Sequence, residues 1–510
     1  MGIKLTLLIV FFAVMVGVGL YSRKHTASVD GFVLGGRSVG PWLTAFAYGT
    51  SYFSAVVFVG YAGQFGWKYG IASTWIGIGN AVIGSLMAWV VLGRRTKVMT
   101  QHLGCKTMPD FFGERYGSKV LKIMASAIVF VFLVPYTASI YNGLSRLFEM
   151  AFHIPYAYCV AGMAVFTGIY VILGGYMATA INDFIQGIIM LIGIVVVIAA
   201  VLSGQGGFLE AIRKMAEIPS DLPVTMGQPG VFTSFFGPDP WNLFGVIILT
   251  SLGTWGLPQM IGKFYAIKDE KSINTGTVIS TLFACVVAGG SYFLGGFGRL
   301  FDSSEIYDET GSVVFDSIVP HMLSSLPDLL IGIVVVLVLS ASMSTLASLV
   351  LTSSSTLTLD FLKDNVMKNM SEKKQIRWMQ FLVVFFIGLS VWIALDPSTF
   401  IAQLMGISWG ALAGAFLAPF LYGLYWKRVT RAAVWASFIT GVGITVSNLF
   451  LHYIASPINA GAVAMIAGLV VVPFVSIVTP KPEAKMVEQI FACYEETVTI
   501  TKKRSLEAER

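Results

Sequence analysis

Charge is scarce in this chain. Only 12% of its 510 residues are Asp, Glu, Lys or Arg, while 56% are hydrophobic; a soluble domain carries roughly twice that charged share. Composition therefore excludes an ordinary soluble protein. Cysteine is scarce too: Cys105, Cys159, Cys285 and Cys493 are scattered, without metal-ligand spacing, and no structural disulfide is expected. A phosphate cradle for an ATP-driven pump is missing. Its nearest imitation, residues 256–263, has five residues between its glycines and Phe264 where Ser or Thr is required. Neither a carbonyl filter nor a ring of charge marks an ion channel, the class kept as the alternative to a carrier. No signalling domain follows the apolar region, only a tail at 481–510 that is expected to be cytoplasmic. The N-terminal apolar stretch lacks a small-residue cleavage site and reads as a retained helix.

What the chain has in plenty is apolar runs long enough to span a bilayer. They lie near 4–22, 40–65, 72–93, 121–149, 156–173, 181–203, 241–262, 275–298, 328–359, 376–395, 399–425, 432–452 and 460–478, thirteen in all within a transporter domain at 1–480. Basic residues orient them. With the N-terminus outside, only Lys4, Lys68, Arg146, Arg213, Lys214 and Arg299 of the 33 Lys and Arg residues fall in external segments, and the C-terminus is inside. The net charge of +6 thus follows from topology and gives no reason to expect a nucleic-acid partner; the partner is the lipid bilayer of the plasma (inner) membrane.

Two spans are interrupted. The second contains Tyr48-Gly49-Thr50-Ser51-Tyr52-Phe53-Ser54, and five spans later comes Thr250-Ser251-Leu252-Gly253-Thr254-Trp255-Gly256-Leu257-Pro258. Small, polar and proline residues at membrane depth free backbone groups, which is tolerated only where protein or a water-filled cavity satisfies them. Close helix packing through Gly49 and Ser54 is the plainer alternative. If the helix unwinds, the carbonyls of Thr50 and Phe53 become available to a cation. Broken spans in corresponding places of two five-helix halves point to an inverted-repeat transporter, with repeats at about 40–203 and 241–425.

A third stretch, residues 340–360, follows an apolar run and places Ala341, Ser344, Thr345, Ser348, Thr352 and Ser355 on one helix face. Small residues there allow close packing. They also offer the Ser344 and Thr345 hydroxyls, with the Ala341 carbonyl, to a dehydrated cation of single charge. No carboxylate shares that face, which argues against calcium or magnesium. Ser348, one turn on, is expected to be a bystander that tolerates Ala.

Together with Asn182-Asp183-Phe184-Ile185-Gln186-Gly187 and the cluster Gly35-Gly36-Arg37-Ser38-Val39-Gly40-Pro41-Trp42, this stretch resembles the sodium/solute symporter family from about residue 20 to 430. The resemblance implies an all-α polytopic LeuT-type fold with five-helix inverted repeats and additional helices, sodium-coupled symport by alternating access, no enzyme chemistry and no cofactor beyond the coupling sodium ion. It implies a sodium site made of the carbonyls of Thr50, Phe53 and Ala341 and the hydroxyls of Ser344 and Thr345. It places Asp183 near the cytoplasmic ion exit.

For the solute, the positions aligned with the family's sugar-binding side chains are Val57, Ile76 and Gly79, which are unsuited to a sugar. Family proline transporters carry an aspartate where this chain has Tyr52 and aromatic residues where it has Thr250 and Thr254. The segments Thr50-Ser51-Tyr52-Phe53-Ser54-Ala55 and Gly256-Leu257-Pro258-Gln259 are more similar to the pantothenate and monocarboxylate branch. A small carboxylate is the leading expectation and proline, or another amino acid, the alternative. The candidate contacts are Ser54, Tyr136, Tyr141, Asn142, Thr254, Trp255 and Gln403.

Overall fold

The computed structural model describes residues 2–23, 27–223, 225–395 and 401–494, with the Tyr52 side chain outside that description. The tail residues Lys502, Lys503, Arg504 and Arg510, Lys24, and the first residues of the span expected at 399–425 lie outside it as well. Among the described residues the chain is helical without a strand, apart from two isolated bridges.

Among the described residues ten helices are long and apolar enough to cross a membrane, or eleven when Pro240–Gly256 and Pro258–Ala266, bent by 45°, count as one broken span. Two of the ten are far longer than one crossing: Val56–His102 has 47 residues and Tyr156–Gly204 has 49. At about 1.5 Å per residue either would greatly exceed a hydrocarbon core of about 30 Å. Each is interrupted at a glycine. Gly70 takes φ 59°, ψ −141° and Gly175 takes φ 54°, ψ −149°, a region that residues with a Cβ avoid.

Burial separates the centre from the rim. The most apolar windows of Ile401–Tyr425 and Asp328–Val366 are 89% and 78% buried by protein, against 28% for Gly2–Ser22 and 33% for Arg431–Leu451. The hydroxyl-bearing helix is therefore a central element, and Ser340, Ser342, Ser344 and Thr345 are wholly buried in it. A face of small side chains makes that position possible, because neighbouring backbones can approach it closely.

Both expected interruptions exist. The first broken span runs as helix Pro41–Tyr52, leaves helical geometry at Phe53 (φ −94°, ψ 122°), and resumes as π-helical turns Val56–Tyr61 followed by Ala62–Tyr69. The second ends in a tight turn, Gly253–Gly256, passes through Leu257 (φ −88°, ψ 121°), and resumes at Pro258. An extended residue thus sits at each break, with nearly the same backbone angles. The start of the first broken span is tied to the end of the second, where the Val39 amide donates to the Ala266 carbonyl (3.3 Å) and the Lys268 amide to the Val39 carbonyl (3.0 Å).

Candidate functional site

At the first break the helix stops hydrogen-bonding to itself and turns carbonyls toward the hydroxyl-bearing helix. Ser344 Oγ lies 2.9 Å from the Thr50 carbonyl oxygen and 3.2 Å from that of Ala341. Thr345 Oγ1 lies 3.1 Å from Thr50 O, 3.2 Å from Phe53 O and 3.1 Å from Ala341 O. All five residues expected at a cation site from the sequence therefore meet, and all are buried.

The number of protons matters here. Each hydroxyl carries one hydrogen, so two protons serve five close oxygen–oxygen approaches. The remaining approaches set lone pair against lone pair. The cluster thus holds more acceptor oxygens than protons, and it is buried from water.

The break is held from the other side by the same helix. Ser342 Oγ accepts from the Ala55 amide at 3.1 Å, and Ser54 Oγ accepts from the Val56 amide at 3.2 Å, which satisfies two of the amides that the interruption exposes.

The solute candidates are dispersed in their commitments. Thr254 Oγ1 donates to the backbone, with Gly84 O at 3.0 Å and Ser251 O at 2.9 Å, and Trp255 Nε1 donates to Ile83 O at 2.9 Å. Those polar atoms dock the second break on the neighbouring helix. Asn142 Oδ1 accepts from the Tyr156 hydroxyl, which also reaches Ala394 O. Gln403 is half-buried in Ile401–Tyr425. Tyr136 and Tyr141 are different: both are wholly buried, and their hydroxyls face the side chains of Trp409 and Thr167 and make no bond to the backbone of the described residues. Sequence reasoning did not single out Tyr61, Asn80 and Tyr292, which are equally buried, with the Asn80 side chain beside the Tyr292 hydroxyl. Lone aromatic and amide residues in apolar runs carry no sequence signal separating them from packing.

Residues 32–441 match the model of the sodium:solute symporter family. The chain belongs to that family. It is 29% identical over 504 residues to sodium/proline symporter 2 of Staphylococcus saprophyticus, covering 93% of each chain, and 30% identical over 452 residues to the sodium/proline symporter of Staphylococcus aureus, covering 86% of this chain and 84% of that one. Among solved structures, a Na+-coupled sialic acid symporter in a substrate-bound outward-open state superposes with a TM-score of 0.78 at 14% identity, over 94% of this chain and 98% of that one. A nucleobase-cation-symport-1 family transporter, in a closed conformation, gives 0.51 at 12% identity, over 90% and 97%. These likenesses are of fold. This symporter is an integral membrane protein, and its relatives and neighbours are transporters.

Two acidic positions complete the description. Asp183, on the helix that continues from Gly175, is wholly buried, and the group nearest its carboxylate is Lys263 Nζ, 3.8 Å from Oδ2. Lys263 Nζ donates to Ser348 Oγ at 3.0 Å, and Ser348 Oγ lies 2.8 Å from Ser51 Oγ. Ser348 is thus not the bystander that spacing alone suggests: helix geometry gives its direction, but only packing brings a lysine from another span against it. A lysine within an apolar span was itself the available signal.

Asp316 lies on the short helix Phe315–Ser324, outside the spans, against the half of the first broken span that follows the break. A Cβ on Gly63 would come within 2.7 Å of Phe315 O. Asp316 Oδ2 accepts from the Ile401 amide at 3.1 Å. Burial pushes the Asp316 carboxyl up to about 6, opposed by the Ile401 amide and the Arg146 guanidinium.

Proposed function

We propose that this symporter carries a small carboxylate-bearing solute inward with sodium by alternating access, and that Thr50, Phe53, Ala341, Ser344 and Thr345 provide the sodium site. The observation that carries the reading is the cluster of five oxygens with two protons. The proposed topology has the N-terminus outside, the C-terminus inside and thirteen crossings, each of the two overlong helices counting as two at Gly70 and Gly175. The matched breaks at Phe53 and Leu257 support inverted repeats at about 40–203 and 241–425, with the tail from 481 on the cytoplasmic side. Asp183 is the acidic group beside the cytoplasmic ion exit.

Two solutes fit the class. An anionic carboxylate such as pantothenate or a monocarboxylate is favoured by the residues at the two breaks. Proline is favoured by the relatives, which are sodium/proline symporters at 29% and 30% identity. Both would present a carboxylate to the second break, where the helix resumes at Pro258 and helix N-termini favour anions. Of the seven candidates, Tyr136 and Tyr141 keep wholly buried hydroxyls that make no hydrogen bond to the backbone of the described residues.

The test is uptake into proteoliposomes of labelled proline, pantothenate and lactate, in sodium and in choline, with each methyl ester as competitor. Sodium-dependent uptake of one solute, unaffected by its ester, is the expected result. An ester that competes as well as the free acid refutes the carboxylate reading. Failure of counterflow would favour a channel, because only a carrier exchanges labelled for unlabelled solute.

A further inference from the structure

A part-buried ion network and a buried ion pair in this symporter are built differently. At one edge, Lys122 Nζ is 2.7 Å from Asp110 Oδ1 and 2.6 Å from Asp364 Oδ2, with Asp360 Oδ1 at 3.5 Å, and Thr107 Oγ1 donates to Asp360 Oδ2 at 2.6 Å. That is a tight, charge-assisted network of the kind that holds elements together. Beside the five-oxygen cluster, Lys263 and Asp183 stand 3.8 Å apart, outside hydrogen-bond distance, both wholly or almost wholly buried. Neither Asp183 oxygen has a hydrogen-bond partner among the described residues. The ammonium, with three protons to give, places one on Ser348 Oγ and faces the Tyr176 ring at 5.1 Å.

A loose buried pair is an expensive arrangement, since each ion has lost its water and gained little in return. Its position indicates a use. From Lys263 the chain of contacts runs through Ser348 and Ser51 to the residue beside Thr50, whose carbonyl belongs to the cluster. A cavity with about 40 Å³ of room for water is lined by Lys263, Ser348, Tyr176 and Gln259 and continues to Thr107 and Lys106. That volume admits water or a bare ion. A cation leaving the cluster by way of Ser51 and Ser348 would reach this cavity beside the Lys263 ammonium, which stands between Ser348 and the wholly buried Asp183 carboxylate.

We propose that Lys263 is a positioning residue for ion release: its ammonium and a departing sodium ion compete for Asp183, so that Lys263 keeps the carboxylate from retaining sodium and restores the pair once the ion has gone. This rests on the sodium-symport reading and adds the means by which the ion is let go. Without the ammonium, an unpaired buried carboxylate would hold sodium on the release side. Exchange of solute, which needs no empty carrier, would continue while net uptake, which does, would slow.

The experiment uses the full-length protein in proteoliposomes and compares wild type with Lys263→Met, Lys263→Arg, Asp183→Asn and the double variant Lys263→Met/Asp183→Asn. Initial net uptake is read against the concentration of sodium inside the vesicles, and exchange at saturating sodium on both sides. For Lys263→Met, internal sodium should inhibit at a concentration at least about fivefold lower than in wild type, with exchange retained and net uptake reduced about tenfold. Lys263→Arg should restore wild-type behaviour, and the double variant should relieve the inhibition. Asp183→Asn, which keeps the side-chain shape, should move the inhibition in the opposite direction, and this arm tests the proposal even if the Lys263→Met protein does not fold. Parallel loss of exchange and net uptake with unchanged internal-sodium inhibition would make the pair merely structural and overturn the proposal. Uptake by the wild type that ignores sodium altogether would overturn the symport reading, and the proposal with it.

Discussion

Replacing Thr345 with Val is the sharpest test of the oxygen cluster. The substitution keeps the branched shape of the side chain, so packing in the central helix is preserved, and removes one oxygen from five. Thr345 is the better target of the two hydroxyls because Oγ1 reaches three carbonyls, at 3.1, 3.2 and 3.1 Å, while Ser344 Oγ reaches two. A polar partner lost from a buried site costs about 1 to 3 kcal/mol. At 1.4 kcal/mol per factor of ten, the sodium half-saturation constant should rise by about 5-fold to about 140-fold. Linkage adds a second signature: solute affinity falls at low sodium and recovers when sodium saturates the weakened site. The assay is the initial rate of solute uptake into proteoliposomes as a function of external sodium. Thr345→Ser, which returns the oxygen, should recover most of the affinity. Ser355→Ala is the proper control, since Ser355 Oγ donates within its own helix to Leu351 O at 2.6 Å. If Thr345→Val and Ser344→Ala both leave the sodium dependence unchanged while uptake stays active, the cluster does not bind the coupling ion.

Uptake should stop when choline replaces sodium and should respond to an imposed membrane potential whenever sodium charge exceeds the negative charge on the solute, each net charge being worth about 2.3 kcal/mol per 100 mV; potential-independent uptake of a neutral solute would contradict this. Asp316 has its folded-state carboxyl raised to about 6, so its contribution to stability is full below its ordinary value and is lost as pH rises through 6. Asp316→Asn should therefore gain in melting temperature relative to wild type between pH 4 and pH 7, by the equivalent of at most about 3 kcal/mol; a pH-independent difference would refute the assignment. Lys122→Met leaves Asp110, Asp360 and Asp364 facing one another and should destabilise the detergent-solubilised protein by about 3 to 5 kcal/mol, with partial rescue by Asp360→Asn; thermal unfolding read by size-exclusion fluorescence decides it.

Much of this protein was legible from its sequence because the bilayer restricts the choices. Backbone groups cannot go unsatisfied at membrane depth, so apolar runs had to be helices, and glycine, proline and hydroxyl residues inside them had to be breaks or buried contacts. Periodicity then placed Ala341, Ser344 and Thr345 on one face, and the same period put Ser348 there too. What periodicity cannot supply is the partner across the gap. That the Thr50 and Phe53 carbonyls meet this face, that Thr254 and Trp255 spend their polar atoms on the Gly84 and Ile83 carbonyls, and that Lys263 stands between Ser348 and Asp183 are contacts between residues far apart in the chain. Local pattern determines which way a side chain points along its own helix; the angle and depth at which two helices cross, set by the packing of every other helix around them, decide what it touches.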